Sequence, residues 1–313
     1  MATMHQAPAS VFMVRPAAFG YNPETAGSNA FQLPAENSIK ENIHKQAIGE
    51  FDRMVDRLLS YDIDVQVFDD TPVPVKPDAL FPNNWISLHE DGTLVLYPML
   101  AVNRRAERRA DIIDQLKSRF LVKTVIDMTE EENQHRFLEG TGSLVFDYVN
   151  RIVYACRSPR TNENLVRQLS GKLGFEPIIF DAVDERGTPI YHTNVLMCVA
   201  TQVAVVCLDA IPDEADQELI LNNLKTTGHR VVAISYAQMK AFAGNMLEVR
   251  TRDNELYVLL SERAFQSLLP GQLDAISLLV GMIPIAIPTI EKYGGGSVRC
   301  MIAGNFLPLQ DKQ

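Results

Sequence analysis

Gly294-Gly295-Gly296-Ser297-Val298-Arg299-Cys300-Met301, close to the C-terminal end, is the stretch on which the reading of the fold turns. Three consecutive glycines permit positive φ and close approach of the backbone to a ligand. A cysteine follows where an apolar segment resumes. A free cysteine is most often a small buried hydrophobe, so only a larger pattern can mark Cys300 as a nucleophile. That pattern is a repeat. Asn84, Glu139, His192, Asn245 and Cys300 follow one another at intervals of 55, 53, 53 and 55 residues.

Each marker lies in a polar or glycine-bearing stretch that opens the same succession: two apolar runs around a turn, a helical segment, then a strand. The first round runs from Phe81-Pro82-Asn83-Asn84 through Ile86–Leu88 and Thr93–Tyr97 to a helix over Arg104–Phe120. The second holds Phe137–Phe146, Ile152–Ala155 and a helix over Asn162–Leu173; the third holds Tyr191–Met197, Val203–Leu208 and a helix over Asp213–Thr226. The fourth holds Ala243–Val249, Glu255–Leu260 and a helix over Arg263–Leu279. The fifth opens at the glycine run and lacks a second strand, which Val11–Val14 can supply from the other end of the chain. Ahead of the first round, residues 17–38 read as a loop, Lys40–Ser60 as an amphipathic helix, Val65–Phe68 as a strand and Thr71–Pro77 as a linker. A period near this length suits a strand–hairpin–helix unit. Five units closing into a ring would bring the five polar stretches to one mouth.

At 313 residues the chain can bury a large core. A net charge of −10 argues against a phosphate-binding surface, so nucleic acid is not an expected partner. The apolar windows Val195–Leu208 and Leu278–Ile290 are too short to span a bilayer, and Met1–Ser10 lacks the layout of a signal peptide. Four cysteines (156, 198, 207 and 300) without metal-binding spacing point to no disulfide framework and no zinc site. These features read as a reducing, cytoplasmic protein.

The ring gathers one cysteine, one histidine and one carboxylate, Cys300, His192 and Glu139, which is the set that thiol-based covalent catalysis needs. Cys156, Cys198 and Cys207 sit in apolar β runs and read as core. His5, His44, His89, His135 and His229 read as solvated. The basic run Arg104–Arg109 reads as a solvated helix face, with carboxylate binding as the lesser reading.

These residues resemble those of the guanidino-group modifying enzymes, the hydrolases and amidinotransferases of the pentein fold. Gly294-Gly295-Gly296-x-x-x-Cys300 resembles the family's nucleophile motif, Glu139-Gly140-Thr141-Gly142 its Glu-Gly-Gly-Asp, and His192-Thr193-Asn194 its His-x-Asp. Ser158-Pro159-Arg160-Thr161-Asn162 is similar to a segment whose arginine holds the substrate's α-carboxylate in some members. Phe81-Pro82-Asn83-Asn84 is similar to a Phe-x-x-Asp segment. The resemblance implies a single α/β domain over residues 1–313, a five-bladed pentein propeller. It implies Cys300, His192 and Glu139 as catalytic residues, and Asn83, Asn84, Asn194, Asn245 and Arg160 as substrate-binding residues. No metal or organic cofactor is expected, and a homo-oligomer is compatible with it.

The departures bear on the substrate. Where deiminases carry acids that grip a guanidinium, this chain has Asn84, Gly142 and Asn194. Opposite unit charges about 4 Å apart interact by about 4 kcal/mol at an effective dielectric of 20. Asparagine instead both donates and accepts, which suits a neutral ureido group. The expected substrate is therefore a ureido or guanidino amino acid with citrulline first, giving ornithine, ammonia and carbon dioxide. The Asn-Asn-Trp and Gly-Asn-Met-Leu stretches resemble those of citrulline utilisation hydrolases. An arginine or methylarginine hydrolase and an amidinotransferase are the rival enzymes. A non-catalytic pentein binding protein of the translation machinery is the rival outside enzymes; it has no reason to carry the Cys/His/Glu set.

Overall fold

The repeat appears in the structure as one strand pattern used five times. The computed structural model describes residues 5–29, 31–34 and 40–310. Parts of the stretch expected as a loop (residues 30 and 35–39) and of the polar N-terminal stretch (residues 1–4) lie outside them. The strands are β1 (Ser10–Arg15), β2 (Asp64–Asp69), β3 (Ile86–Leu88), β4 (Thr93–Leu96), β5 (Thr124–Asp127), β6 (Val145–Asp147), β7 (Ile152–Cys156) and β8 (Glu176–Phe180). They continue with β9 (Met197–Val199), β10 (Val203–Val206), β11 (Arg230–Ala233), β12 (Leu247–Arg250), β13 (Leu256–Ser261), β14 (Gly281–Ile285) and β15 (Ala303–Asn305).

In every unit the first two strands pair antiparallel and the third pairs parallel to the second. β3, β4 and β5 follow this rule, as do β6 to β8, β9 to β11 and β12 to β14. The fifth unit is made from both ends of the chain: β15 pairs antiparallel with β1, with Val11 opposite Gly304, and β1 pairs parallel with β2. The strand expected at Val11–Val14 thus completes the last unit. A bridge between Asn305 and Leu88 joins this unit to the first, giving one six-stranded sheet beside three three-stranded ones.

A parallel pair needs a crossover, and helices supply it in each unit. Lys40–Ser60 spans β1 to β2 and buries Ile43, Ala47, Phe51, Met54 and Leu58 on one stripe, the spacing that marked it as a helix. Glu163–Leu173 and Glu214–Thr226 begin after Asn162 and Asp213, whose side chains accept hydrogen bonds from Leu165 N and Ala215 N. The two other expected helices are divided. Pro270, which has no N–H to continue a ladder, separates Glu262–Ser267 from Pro270–Ser277. The segment expected as one helix from Arg104 divides into a 3₁₀ stretch, Val102–Glu107, and an α-helix, Ala110–Arg119, because Arg104 is drawn inward to ion-pair with Glu107.

The second strand of a unit is its central one. Ile152–Cys156 and Val203–Val206 are buried at every residue, so they read as unbroken apolar runs. Among the described residues no helix is long and apolar enough to cross a membrane. Two histidines expected to be solvated are buried: His89 bonds Ser87 Oγ at 2.8 Å, and His229 bonds Thr227 Oγ1 at 2.9 Å. Both lie at turns whose neighbouring strands fold over them, a coverage that local polarity does not reveal.

In β1, Phe12 is 1% exposed and meets the rings of Phe68 and Trp85 at 5.7 and 6.2 Å. Phe12→Ala is expected to lower the unfolding free energy by about 3–5 kcal/mol. Urea unfolding checks this; an unchanged midpoint would mean that β1 does not hold the two ends of the chain together.

Candidate active site

All five markers sit at short turns that precede the first strand of a unit, and all five are buried. Asn84 ends the 3₁₀ turn Pro82–Asn84. Glu139 and His192 are the N-cap residues of the turns Gly140–Ser143 and Thr193–Leu196. Asn245 precedes β12, and Cys300 lies within the 3₁₀ turn Val298–Met301. The glycine run serves this last turn: Gly295 ends the helix Pro288–Gly294 at φ +63°, a left-handed conformation that a side chain would strain.

Glu139 is fully enclosed. Its Oε2 lies 2.9 Å from His192 Nε2 and 3.4 Å from Arg160 Nη1, and its Oε1 accepts from Leu100 N at 3.1 Å. Burial pushes the carboxyl up, but Arg160, His192 and Arg104 outweigh it and hold Glu139 well below the usual carboxylate range. An ionised Glu139 makes His192 Nε2 the protonated nitrogen and leaves Nδ1 as an acceptor. Burial brings His192 down to about 4, so the ring is neutral at physiological pH and able to take a proton.

Cys300 is 5% exposed, and burial pushes its thiol up, so the free site holds a thiol. Its sulfur lies 3.4 Å from Asn245 Nδ2 and 3.8 Å from Asn194 Nδ2, two donors able to stabilise a thiolate once formed. The other three cysteines are likewise pushed up by burial, to about 11 or 12.

One small cavity of about 20 Å³ is lined by Asn84, Arg160, His192 and Cys300 together. Glu139 stands behind His192, while Asn194 and Asn245 contact the thiol without lining this cavity. Asn83 is buried and does not line it; its carbonyl accepts from Thr141 Oγ1 at 3.2 Å. Arg160 is clamped by Ser28 Oγ at 2.7 Å and Thr25 O at 3.1 Å, and its guanidinium sits 5.1 Å from the centre of the Tyr191 ring.

Arg104, expected on a solvated face, is 2% exposed and lines the cavity. It forms a bidentate pair with Glu107, both contacts at 2.9 Å, and Nη1 donates to Asn84 Oδ1 at 2.9 Å. Burial pushes Glu107 up to about 7, against the pull of Arg104. Asp78, also on the cavity, is raised by burial and accepts from Asn22 and Thr25. Asn22, Thr25, Ser28 and Asp78 were not legible in the sequence, because the first three belong to a four-residue helix and its flanks and Asp78 to a turn, all too short to show periodicity. The one signal for Arg104 was Glu107 three residues on, a helical ion-pair spacing equally common on solvated faces.

Gly142 explains why one expected acid is missing. A Cβ there would lie 2.5 Å from Asn84 Nδ2 and 2.7 Å from His192 Nδ1. Gly142→Ala is therefore expected to displace both side chains and cut turnover about 10²-fold, the scale of a 1 Å misplacement. Steady-state kinetics on folded variant protein check it; an unimpaired enzyme would exclude this packing. His89, like His192, is lowered by burial to about 4, whereas both titrate near 6.5 when unfolded. The unfolded chain then binds more protons between these values, so stability falls as pH drops through that window. Urea unfolding at pH 6.5 and 4.5 should show the loss, reduced in His89→Gln; an equal loss in both proteins would place the effect elsewhere.

The chain is similar to known proteins over most of its length. A family model described as "N,N dimethylarginine dimethylhydrolase, eukaryotic" matches residues 15–307. No curated protein sequence matches significantly. Unliganded AgrE superposes with a TM-score of 0.74 at 17% identity over 97% of this chain, which spans about 40% of AgrE's length. The N-terminal domain of ArgZ, an arginine dihydrolase from cyanobacteria, bound to its substrate, gives 0.70 at 15% identity, covering 95% of this chain and 99% of that one. A dimethylarginine dimethylaminohydrolase adduct gives 0.63 at 14%, covering 95% and 99%. The match across residues 15–307 makes this chain a member of the N,N dimethylarginine dimethylhydrolase family, among the guanidino-modifying hydrolases of the pentein superfamily.

Proposed function

We propose that the chain is a cysteine-dependent hydrolase of a ureido amino acid, with citrulline as the first substrate. The observation that carries this reading is the orientation of Asn84. Arg104 Nη1 donates to Asn84 Oδ1, so the amide must turn its Nδ2 the other way, and Nδ2 is buried without a partner among the described residues. A guanidinium offers only donors and cannot satisfy another donor, whereas a ureido carbonyl can accept from it.

In this mechanism the five units surround one axis as a single pentein propeller domain and present their turns to the substrate. Cys300 gives up its proton to neutral His192 and its sulfur bonds to the ureido carbon, while Asn84 Nδ2 holds the carbonyl oxygen. His192 passes a proton to the departing amine, which leaves a carbamoyl thioester on Cys300. Neutral His192 then takes a proton from water, whose oxygen replaces sulfur at the carbon. The carbamate released breaks down to ammonia and carbon dioxide, and ornithine is the other product. Glu139 keeps the His192 ring in one tautomer and stabilises it when charged. Asn194 and Asn245 steady the thiolate. Arg160, with Arg104 nearby, receives the α-carboxylate.

The family match supports a second reading, a guanidino substrate such as arginine or dimethylarginine. Measuring turnover of citrulline, arginine and dimethylarginine side by side separates the two. Citrulline is expected to be cleaved; inert citrulline beside fast arginine or dimethylarginine hydrolysis would overturn the first reading. Asn84→Asp, which removes the donor to the carbonyl, is expected to lower citrulline kcat/KM by roughly 10- to 100-fold, the scale of one lost buried hydrogen bond. Citrulline turnover untouched by this change would remove Asn84 from substrate binding.

A further inference from the structure

Arg299 and Cys300 are neighbours in one 3₁₀ turn, yet they face different cavities. Cys300 lines the cavity shared with His192, whereas Arg299 lines a second one of about 50 Å³ together with Asn194, Tyr148, Glu248 and Phe306. Asn194 forms the wall between them: it lines the second cavity, and its Nδ2 lies 3.8 Å from the Cys300 sulfur. The Arg299 guanidinium donates from Nη1 to Ile302 O at 3.0 Å, and among the described residues no carboxylate comes within ion-pair distance of it. Glu248, the acid of the same cavity, turns its Oε2 to Thr201 instead, at 2.9 Å from N and 2.6 Å from Oγ1. Arg299 is half-buried, and a partly desolvated cation without a counter-charge is stabilised when an anion binds beside it.

We propose that this second cavity binds a small planar oxyanion of the carboxylate type, held by the Arg299 guanidinium beside the packed Tyr148 and Phe306 rings, whose centroids are 4.4 Å apart. The planar fork of arginine matches two carboxylate oxygens. The site also communicates with the thiol. Arg299 N donates to Asn245 Oδ1 at 3.2 Å, and Asn245 Nδ2 lies 3.4 Å from the Cys300 sulfur, so an anion on Arg299 acts one turn away from it.

Formate is the smallest probe of this class. Line broadening of ¹³C-formate on the whole protein, at constant ionic strength with chloride as the balancing anion, should be saturable. Arg299→Met should weaken formate affinity tenfold or more. Glu248→Gln, which removes the opposing charge from the same cavity, should tighten it several-fold, and this variant carries the test if Arg299→Met fails to fold. Arg160→Gln removes any formate held in the other cavity and should leave the Arg299-dependent binding unchanged. Non-saturable broadening, binding unaffected by Arg299→Met, weaker binding in Glu248→Gln, or loss of binding in Arg160→Gln would each overturn the proposal. None of these readouts uses turnover, so the result is separate from the citrulline reading.

Discussion

The buried carboxylate of Glu139 is the constraint on which the rest of the site depends. An ionised group with no exposed surface survives only if every lone pair is met, and here the partners come from three consecutive units of the repeat. Leu100 N and Arg104 belong to the first, Glu139 and Arg160 to the second, and His192 to the third. The same contacts that make the charge tolerable also set the tautomer of His192 and fix the position of Arg160. Removing any one of them would take a hydrogen bond or a counter-charge from Glu139, which links the integrity of the site to the assembly of the units.

Arg104 extends this network towards the substrate side. Its pairing with Glu107 fixes the guanidinium, and its bond to Asn84 then decides which face of that amide is available. A side chain with both donor and acceptor capacity thus becomes a one-way donor. Gly142 is the complement: by carrying no side chain it lets the Asn84 amide and the His192 ring come close together.

The turn that carries Cys300 has a second face. Arg299 looks into a cavity separated from the thiol by Asn194, and Gln6 braces that cavity's rim by donating to Phe146 O at 2.8 Å and Val199 O at 2.9 Å. An N-terminal residue therefore ties the second unit to the third, much as β1 completes the fifth. Chain ends that lie far apart in sequence hold the units together.

The five markers, their period and the pairing of Val11–Val14 with the last unit were legible in the sequence, because each unit uses the same alternation of apolar run, turn and crossover helix. The grouping of Cys300, His192 and Glu139 was legible for the same reason, since a repeat places equivalent residues at equivalent points. Arg104, Asp78, Thr25, Ser28 and the buried state of His89 were not, because nothing local separates a solvated polar residue from one covered by a distant segment. Sequence by itself determined the unit, its length and the candidate catalytic set, which are matters of periodicity along the chain. Only the tertiary structure decided which way Asn84 faces, that Glu139 is ionised while the Cys300 thiol is not, and that Arg299 turns away from its neighbour. Those outcomes depend on burial and on partners from other units, and burial is created only when the units meet.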